Sequence, residues 1–239
     1  MEAPELAPRP EHHHRDVRGG AARAAVFGVS DGLVSSFGLI LGVAGADPAP
    51  GIVRLAGLAG LIAGAVSMAA GEYNSMRVQT ELLQRELDME RRELLRNPHV
   101  ETVELSQLYQ SRGVDPDRAR ELAKEMMRDP EIALQTHARE ELGIDPNELG
   151  SPKGAATSSF FAFSAGALVP LLPWFFIGHG GAILLSLIAA VIAAIAVGVT
   201  VARFTGRAPW FAIGRQVLFT LVPAAITFAI GSLVGVGVT

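Results

Sequence analysis

The chain of 239 residues contains no cysteine, which excludes disulfides and thiolate metal sites in any compartment. Charge is scarce too, at 18% of residues against 49% apolar, and the scarcity is local. No Asp or Glu follows Lys153, so carboxylate chemistry is confined to what precedes it. Met1 to Arg23 is polar, Arg77 to Lys153 is densely charged, and the rest is nearly free of charge. The net charge of −4 hides this division: residues 77–151 hold 17 acidic and 11 basic side chains, the remainder 7 and 9. Such blocks are expected of a membrane protein carrying a soluble insert. No nucleic-acid partner is expected.

The first 23 residues lack the apolar core and cleavage site of a signal peptide. They read as a polar tail, with His12 to His14 a part of it rather than a metal-binding tract.

Five stretches reach the roughly 20 apolar residues that a spanning helix needs: Ala24–Ala46, Ile52–Met76, Ala155–Ile177, Ala182–Ala202 and Phe211–Val236. A soluble helix needs a polar face, and five near-continuous apolar runs offer none. The connections alternate in charge. Arg15, Arg18 and Arg23 precede the first span, the insert is rich in Arg, and Arg203, Arg207 and Arg215 surround the last turn. The positive-inside rule then puts the N-terminus and insert in the cytoplasm and the C-terminus outside. Trp174 and Trp210 fall near span ends, where interfacial aromatics belong. Richness in Ala, Gly and Arg points to a bacterial inner membrane.

The expected fold is thus an all-α membrane protein, with five transmembrane helices and a cytoplasmic helical insert between the second and third. Its parts are a tail (1–23), two spans (24–76), the insert (77–153) and three spans (154–239). Gly28 and Gly32, Gly38 and Gly42, and Gly60 and Gly64 recur at four-residue spacing, which lets helix backbones approach closely within or between chains.

Asp31 lies several residues into the first span. A carboxylate at that depth costs a few kcal/mol on insertion scales, so it normally faces a cavity or a partner. Asp31 and Ser35 share a helix face with Gly38 and Gly42. The alternative is a structural hydrogen bond to a neighbouring helix. Met68 and Glu72 also share a face, although Glu72 could reach the interface and Met68 alone would read as packing. Together the three offer two carboxylates and a thioether, a set suited to divalent metals. A carboxyl in a poorly hydrated site can exchange a proton for a metal ion.

The insert is punctuated by "NP" at Asn97 and "DP" at Asp115, Asp129 and Asp145, each a capping residue ahead of a proline. Helices are expected from the second span to Arg96 and over Pro98–Gln110, Pro116–Arg128 and Pro130–Leu142. Gly143 suits the last stop. Glu90 and Glu93 form one pair three residues apart, and Glu101 and Glu104 another. Two such pairs on helices joined by a turn could converge four carboxylates, which a divalent cation would neutralise. A solvated face with Arg91, Arg92 and Arg96 as partners is the plainer alternative. Met126 and Met127 lie just ahead of Glu131 and are as readily core.

"AAVFGVSDGLVSSFGLILGVAGA", "GLAGLIAGAVSMAAGEYNS", "HAREELGI" and "FAFSAGALVPLLPW" resemble, in order, the vacuolar iron transporter family. The resemblance implies a five-helix homodimer in the lipid bilayer that moves Fe2+, and often Mn2+, out of the cytosol against protons. It implies no prosthetic group; the metal is the substrate, with Zn2+ and Co2+ as further candidates. Asp31 of "SDG" and Met68 of "SM" resemble the pathway residues, and Glu72 matches the "GE" position. The insert resembles the cytoplasmic metal-binding domain of plant-like members. Glu90, Glu93, Glu101 and Glu104 match its E-x2-E-x7-E-x2-E pattern. Met126, Met127 and Glu131 resemble its methionine pair and following acid, with Glu140 as a substitute for Glu131.

Two other classes compete. A membrane-anchored sensor or buffer would bind metal at the insert without transport, but has no use for Asp31. A ferroxidase-like enzyme would typically carry a Glu-x-x-His motif, and neither His99 nor His137 has a Glu three residues before it.

Overall fold

Proline sets most of the helix starts. At the first helical position it gives up no internal hydrogen bond, and its fixed φ favours the helix. In the computed structural model, which describes residues 20–235, seven helices begin this way: α2 (Pro50–Arg96), α3 (Pro98–Ser111), α4 (Pro116–Met126), α5 (Pro130–Glu140), α6 (Pro152–Leu171), α7 (Pro173–Phe176) and α9 (Pro209–Gly235). The other two are α1 (Gly20–Gly45) and α8 (His179–Thr205). Residues 1–19 and 236–239 lie outside the described residues, and with them the expectation for His12 to His14. The described chain is helical with no strand, and five helices (α1, α2, α6, α8 and α9) are long and apolar enough to cross a membrane. This is a multi-pass membrane protein.

Asp115 Oδ1 accepts from Asp117 N–H at 3.0 Å and Arg118 N–H at 3.3 Å, and Asp129 Oδ1 from Glu131 N–H at 2.8 Å and Ile132 N–H at 3.1 Å. Each cap is worth about 1 kcal/mol. Asn97 makes no side-chain cap. Asp145 caps a turn through Asn147 N–H at 3.0 Å, and no helix follows it. The next helix waits for Ser151, whose Oγ accepts from Gly154 N–H at 3.1 Å. Gly143 ends the α5 region at φ +66°, a conformation that costs glycine nothing.

The expected third span divides. Pro173 cannot donate into the ladder and clashes with the turn before it, so α6 ends at Leu171 and the short α7 follows. Trp174 does not anchor at an interface. It is 1% exposed and packs with Ile40, Val53 and Ala182. Trp210, at 76% exposed, keeps the position expected of an interfacial aromatic.

Helix α1 sits at the centre, packed on α6 and α9 and touching α2 and α8. Its glycines make this possible inside one chain. A Cβ at Gly32 would overlap the backbone carbonyl of Phe163, and one at Gly166 that of Val29. The α1–α6 crossing is therefore backbone on backbone, the mode available to small residues in lipid. Two polar clasps fix α9: Gln216 Nε2 donates to Ser30 Oγ at 2.8 Å, and Thr227 Oγ1 to the Gly38 carbonyl at 2.7 Å.

Replacing Gly32 by Ala is expected to lower the thermal unfolding midpoint of the detergent-solubilised protein, since neither backbone can yield without cost, on the order of 1–3 kcal/mol. Gly214→Ala, where an added Cβ meets nothing within 4 Å, is the control and should not lower it. Equal behaviour of the two variants would refute the close crossing.

Candidate functional site

The three intramembrane candidates meet. Asp31 from α1 and Met68 and Glu72 from α2 line one cleft of about 430 Å³, with Ser35, Ser36 and Ser67 beside them and Phe163 of α6 as a wall. Helical spacing explains the set: Asp31 and Ser35 stack one turn apart, as do Gly64, Met68 and Glu72. Gly60, Gly64 and Gly71 also line the cleft, so part of the α2 wall carries no side chain. Ser35 Oγ donates back to the Asp31 carbonyl at 2.6 Å, which leaves the Asp31 carboxylate free of that hydroxyl. Met68 is half-buried and packs beside Ala65, Phe163 and Ala167. Its thioether thus serves core and cleft together.

Asp31 also lines a hollow of about 510 Å³ between α1 and α9, with Phe27, Ser30, Val34, Leu218 and Pro223. That hollow is mostly apolar. The cleft shared with Met68 and Glu72 is the one with donors for a cation.

A second constellation forms outside the apolar part of α2. The chain reverses at Asn97, whose N–H bonds the Glu93 carbonyl at 2.8 Å and whose carbonyl accepts from Glu101 N–H at 3.2 Å. This turn carries Glu101, in the first turn of α3, back toward Glu90. Helix α5 packs across α2 and adds His137. Glu90, Glu101 and His137 are 5%, 6% and 1% exposed. Leu87, Leu105, Leu134 and Ala138, within about a turn of them along the same helices, are buried too. One ligand atom of each lies within 4.8 Å of the other two.

The imidazole is the hub. His137 Nδ1 lies 3.0 Å from Glu90 Oε1, 3.4 Å from Glu141 Oε2 and 3.8 Å from Glu101 Oε2. Burial favours the neutral ring, but Glu90, Glu141 and Glu101 outweigh it and hold the pKa of His137 above the ordinary histidine value. Burial, then the charges of Glu90 and Glu104, raises Glu101, and the same causes raise Glu141. Carboxylates gathered out of water need a cation or a proton between them.

The four-glutamate pattern splits in two. Glu90 and Glu101 point inward, whereas Glu93 and Glu104 are exposed and act on Glu101 by charge. Met126 and Met127 end α4 half-buried, and α4 packs chiefly on α3. Glu131 is exposed and lies six residues before His137 on α5, about 9 Å along the axis and about 120° around it, so one face cannot present both. Glu140 is tied to Arg112. The residues that sequence reasoning missed are His137 and Glu141. Their signal was an i, i+4 pair inside "HAREE", which a search for Glu-x-x-His passes over.

A model of the VIT family matches residues 22–232. The chain belongs to the VIT family. Among similar proteins, vacuolar iron transporter 1 of Oryza sativa subsp. japonica is 31% identical over 231 residues, covering 93% of this chain and 90% of that protein. Vacuolar iron transporter 1 of Arabidopsis thaliana is 29% identical, with 93% and 90% covered. The vacuolar iron transporter of Acanthamoeba castellanii is 43% identical over 161 residues, which cover 66% of this chain and 58% of that protein. The two constellations of this VIT-family chain are joined by one helix. Glu72 and Glu90 are eighteen residues apart on the unbroken α2. That is five turns, about 27 Å, and the same face.

The raised pKa values of the metal-free cluster act with one sign. A histidine with a raised folded pKa contributes stability that is complete below its unfolded value near 6.5 and is lost as pH rises through the folded one. Glu101 and Glu141, also raised, likewise favour the folded state when protonated and lose that contribution as pH rises above their unfolded value near 4.5. Asp145, lowered by its hydrogen bonds to Asn147 and Arg139, works oppositely, but only in stronger acid. The chelator-treated protein is expected to melt at lower temperature at pH 8 than at pH 6 by circular dichroism, with the difference reduced in His137→Gln. A midpoint that rises toward pH 8 would contradict the sign.

Proposed function

We propose that this chain is a divalent metal transporter, with Fe2+ as its principal substrate and Mn2+ as a second, that exports metal from the cytosol in exchange for protons. The observation that carries the reading is the cleft that joins Asp31, Met68 and Glu72. Two carboxylates and a thioether at lipid depth are expensive unless a cation or proton occupies them in turn. The names of the similar proteins supply the metal: each is called a vacuolar iron transporter. The family is one of transporters rather than enzymes, and no catalytic group is required.

In this reading the charged segment is a cytoplasmic insert. Glu90 and Glu101 collect the ion, the exposed Glu93 and Glu104 attract it, and α2 connects the collecting site to the cleft. Asp31, Met68 and Glu72 pass it outward, and the acids return protonated. The arginines beside the first span, the insert and the last turn keep those parts in the cytoplasm. Composition favours a bacterial inner membrane, and the resemblance favours a homodimer with its path between the first two helices of each copy. The buried cluster also suits a second reading, a membrane-anchored buffer or sensor that binds metal without moving it.

Reconstituted protein in liposomes should carry Fe2+ inward while protons leave, so that lumenal pH rises as the metal enters. Asp31→Asn should reduce both signals to those of protein-free liposomes, with α1–α6 packing and the melting profile retained. Metal binding without flux under an imposed pH gradient would establish the buffer instead. Normal flux in Asp31→Asn would remove the cleft from the path.

A further inference from the structure

Arginine sits easily at the end of a span, where its charge meets water and headgroups. Arg215 is not at an end. It lies six residues into α9, about 9 Å along the axis and about 7.5 Å past Trp210. It is exposed, and among the described residues it has no ion-pair or hydrogen-bond partner. The exposed stripe of α9 that carries it is otherwise apolar: Phe211 one turn before, Leu218 and Phe219 one turn after, then Val222. No Asp or Glu follows Lys153, so neither α8 nor α9 holds an acid to pair with it. A guanidinium on a lipid-facing stripe extends along its own methylene stem toward the nearest phosphate.

A second observation lies one turn further along the same face. Leu218, Phe219 and Val222 form one wall of the hollow of about 510 Å³, and Phe27 and Val34 of α1 form the other. That volume falls in the range of roughly 300–1,000 Å³ that small-molecule sites occupy. Asp31 is the one ionisable group in a lining that is mostly apolar. Gln216, the residue after Arg215, donates to Ser30 of the same hollow at 2.8 Å. That bond fixes the register of α9 on α1, and with it the place of Arg215 at the edge of the hollow.

An apolar hollow with an unpaired cation at its edge matches an amphiphile with an anionic head. We propose that the α1–α9 hollow is the seat of an anionic glycerophospholipid, with its phosphate on Arg215 and one acyl chain laid between α1 and α9. Charge selects the head. The phosphate of a zwitterionic lipid is already matched by its own ammonium, whereas that of an anionic lipid is open to a basic side chain. Arg207, exposed in the turn before α9, adds charge of the same sign at the surface. The seated chain covers the α9 side of Asp31, which leaves the cleft with Met68 and Glu72 as the opening of that carboxylate. The inference needs only that α1 and α9 span a membrane; it does not depend on what the cleft carries.

The test is native mass spectrometry of the full-length protein released from nanodiscs that hold equal parts of phosphatidylglycerol and phosphatidylcholine. Wild-type protein should retain phosphatidylglycerol in preference. Arg215→Gln should cut that preference about fivefold, the loss of one basic contact, and Arg215→Lys should keep most of it. Arg128→Gln, which removes a charge already paired with Glu125, should change nothing. Phosphatidylglycerol with a photoactivatable group midway along one chain should label Phe27, Val34 or Leu218, and should fail to do so in Val222→Trp, whose ring fills the hollow. Melting midpoints in detergent report that the variants are folded. Equal retention of the two lipids, or undiminished preference in Arg215→Gln, refutes the headgroup seat. Labelling confined to other helices refutes the chain seat. Full competition by inorganic phosphate would leave an ion site without a chain. A disulfide between copies of Leu218→Cys, in a chain with no other cysteine, would give the hollow to a second copy in place of lipid.

Discussion

A carboxylate taken out of water must be given a positive partner, and this chain takes carboxylates out of water twice. Glu90 and Glu101 are buried around His137, with Glu141 at the edge. Asp31 and Glu72 line a cleft between α1 and the apolar first half of α2. Around His137 the positive partner is an imidazole, while arginines of the segment pair with other acids, Arg112 with Glu140, Arg128 with Glu125 and Arg139 with Asp145. An ion pair with a fixed cation would have been permanent. Acids left to a proton, an imidazole or a mobile ion remain exchangeable, and exchange is what a carrier of cations needs.

The two acid sites lie about 27 Å apart along α2, several Debye lengths at physiological ionic strength. Their charges therefore scarcely sense each other through water. What links them is position. An unbroken helix of 47 residues fixes both in one frame, and five full turns put Glu72 and Glu90 on one side of it. The segment is also tied back to α2 at its end. Thr80 Oγ1 donates to the Met76 carbonyl at 2.8 Å and to the Leu149 carbonyl at 3.2 Å. The charged helices are thus held against the same helix that lines the cleft.

Most of the fold was legible because it rests on local rules. Apolar length gave the five spans, and the Asn-Pro and Asp-Pro steps gave the starts of α3, α4 and α5 within a residue. The same rule misjudged Asp145, where the Pro that begins the next helix follows Ser151, and it did not foresee the break that Pro173 makes in the third span. The cleft was legible in part, since the one-turn spacing of Met68 and Glu72 is local, while their meeting with Asp31 depends on how α1 packs. The cluster was the least legible. Which turn of α5 faces Glu90 is decided by the packing of α5 on α2. Counting forward from the methionines led to Glu131, a face away from the site.

The two donor sets differ in a way that bears on direction. In the proposed reading the outer cluster, with the buried Glu90, Glu101 and His137, is the stronger donor set, while the cleft offers two carboxylates and a weakly binding thioether. An ion passed inward from the cluster would stay where it was bound unless something lowered the hold of the cluster. Protons do so. His137, Glu101 and Glu141 all have raised proton affinity, and in that reading a proton competes with the metal for the cluster. A field that would gather the metal therefore also gathers its competitor, and on the proposed reading the cluster holds an ion without trapping it.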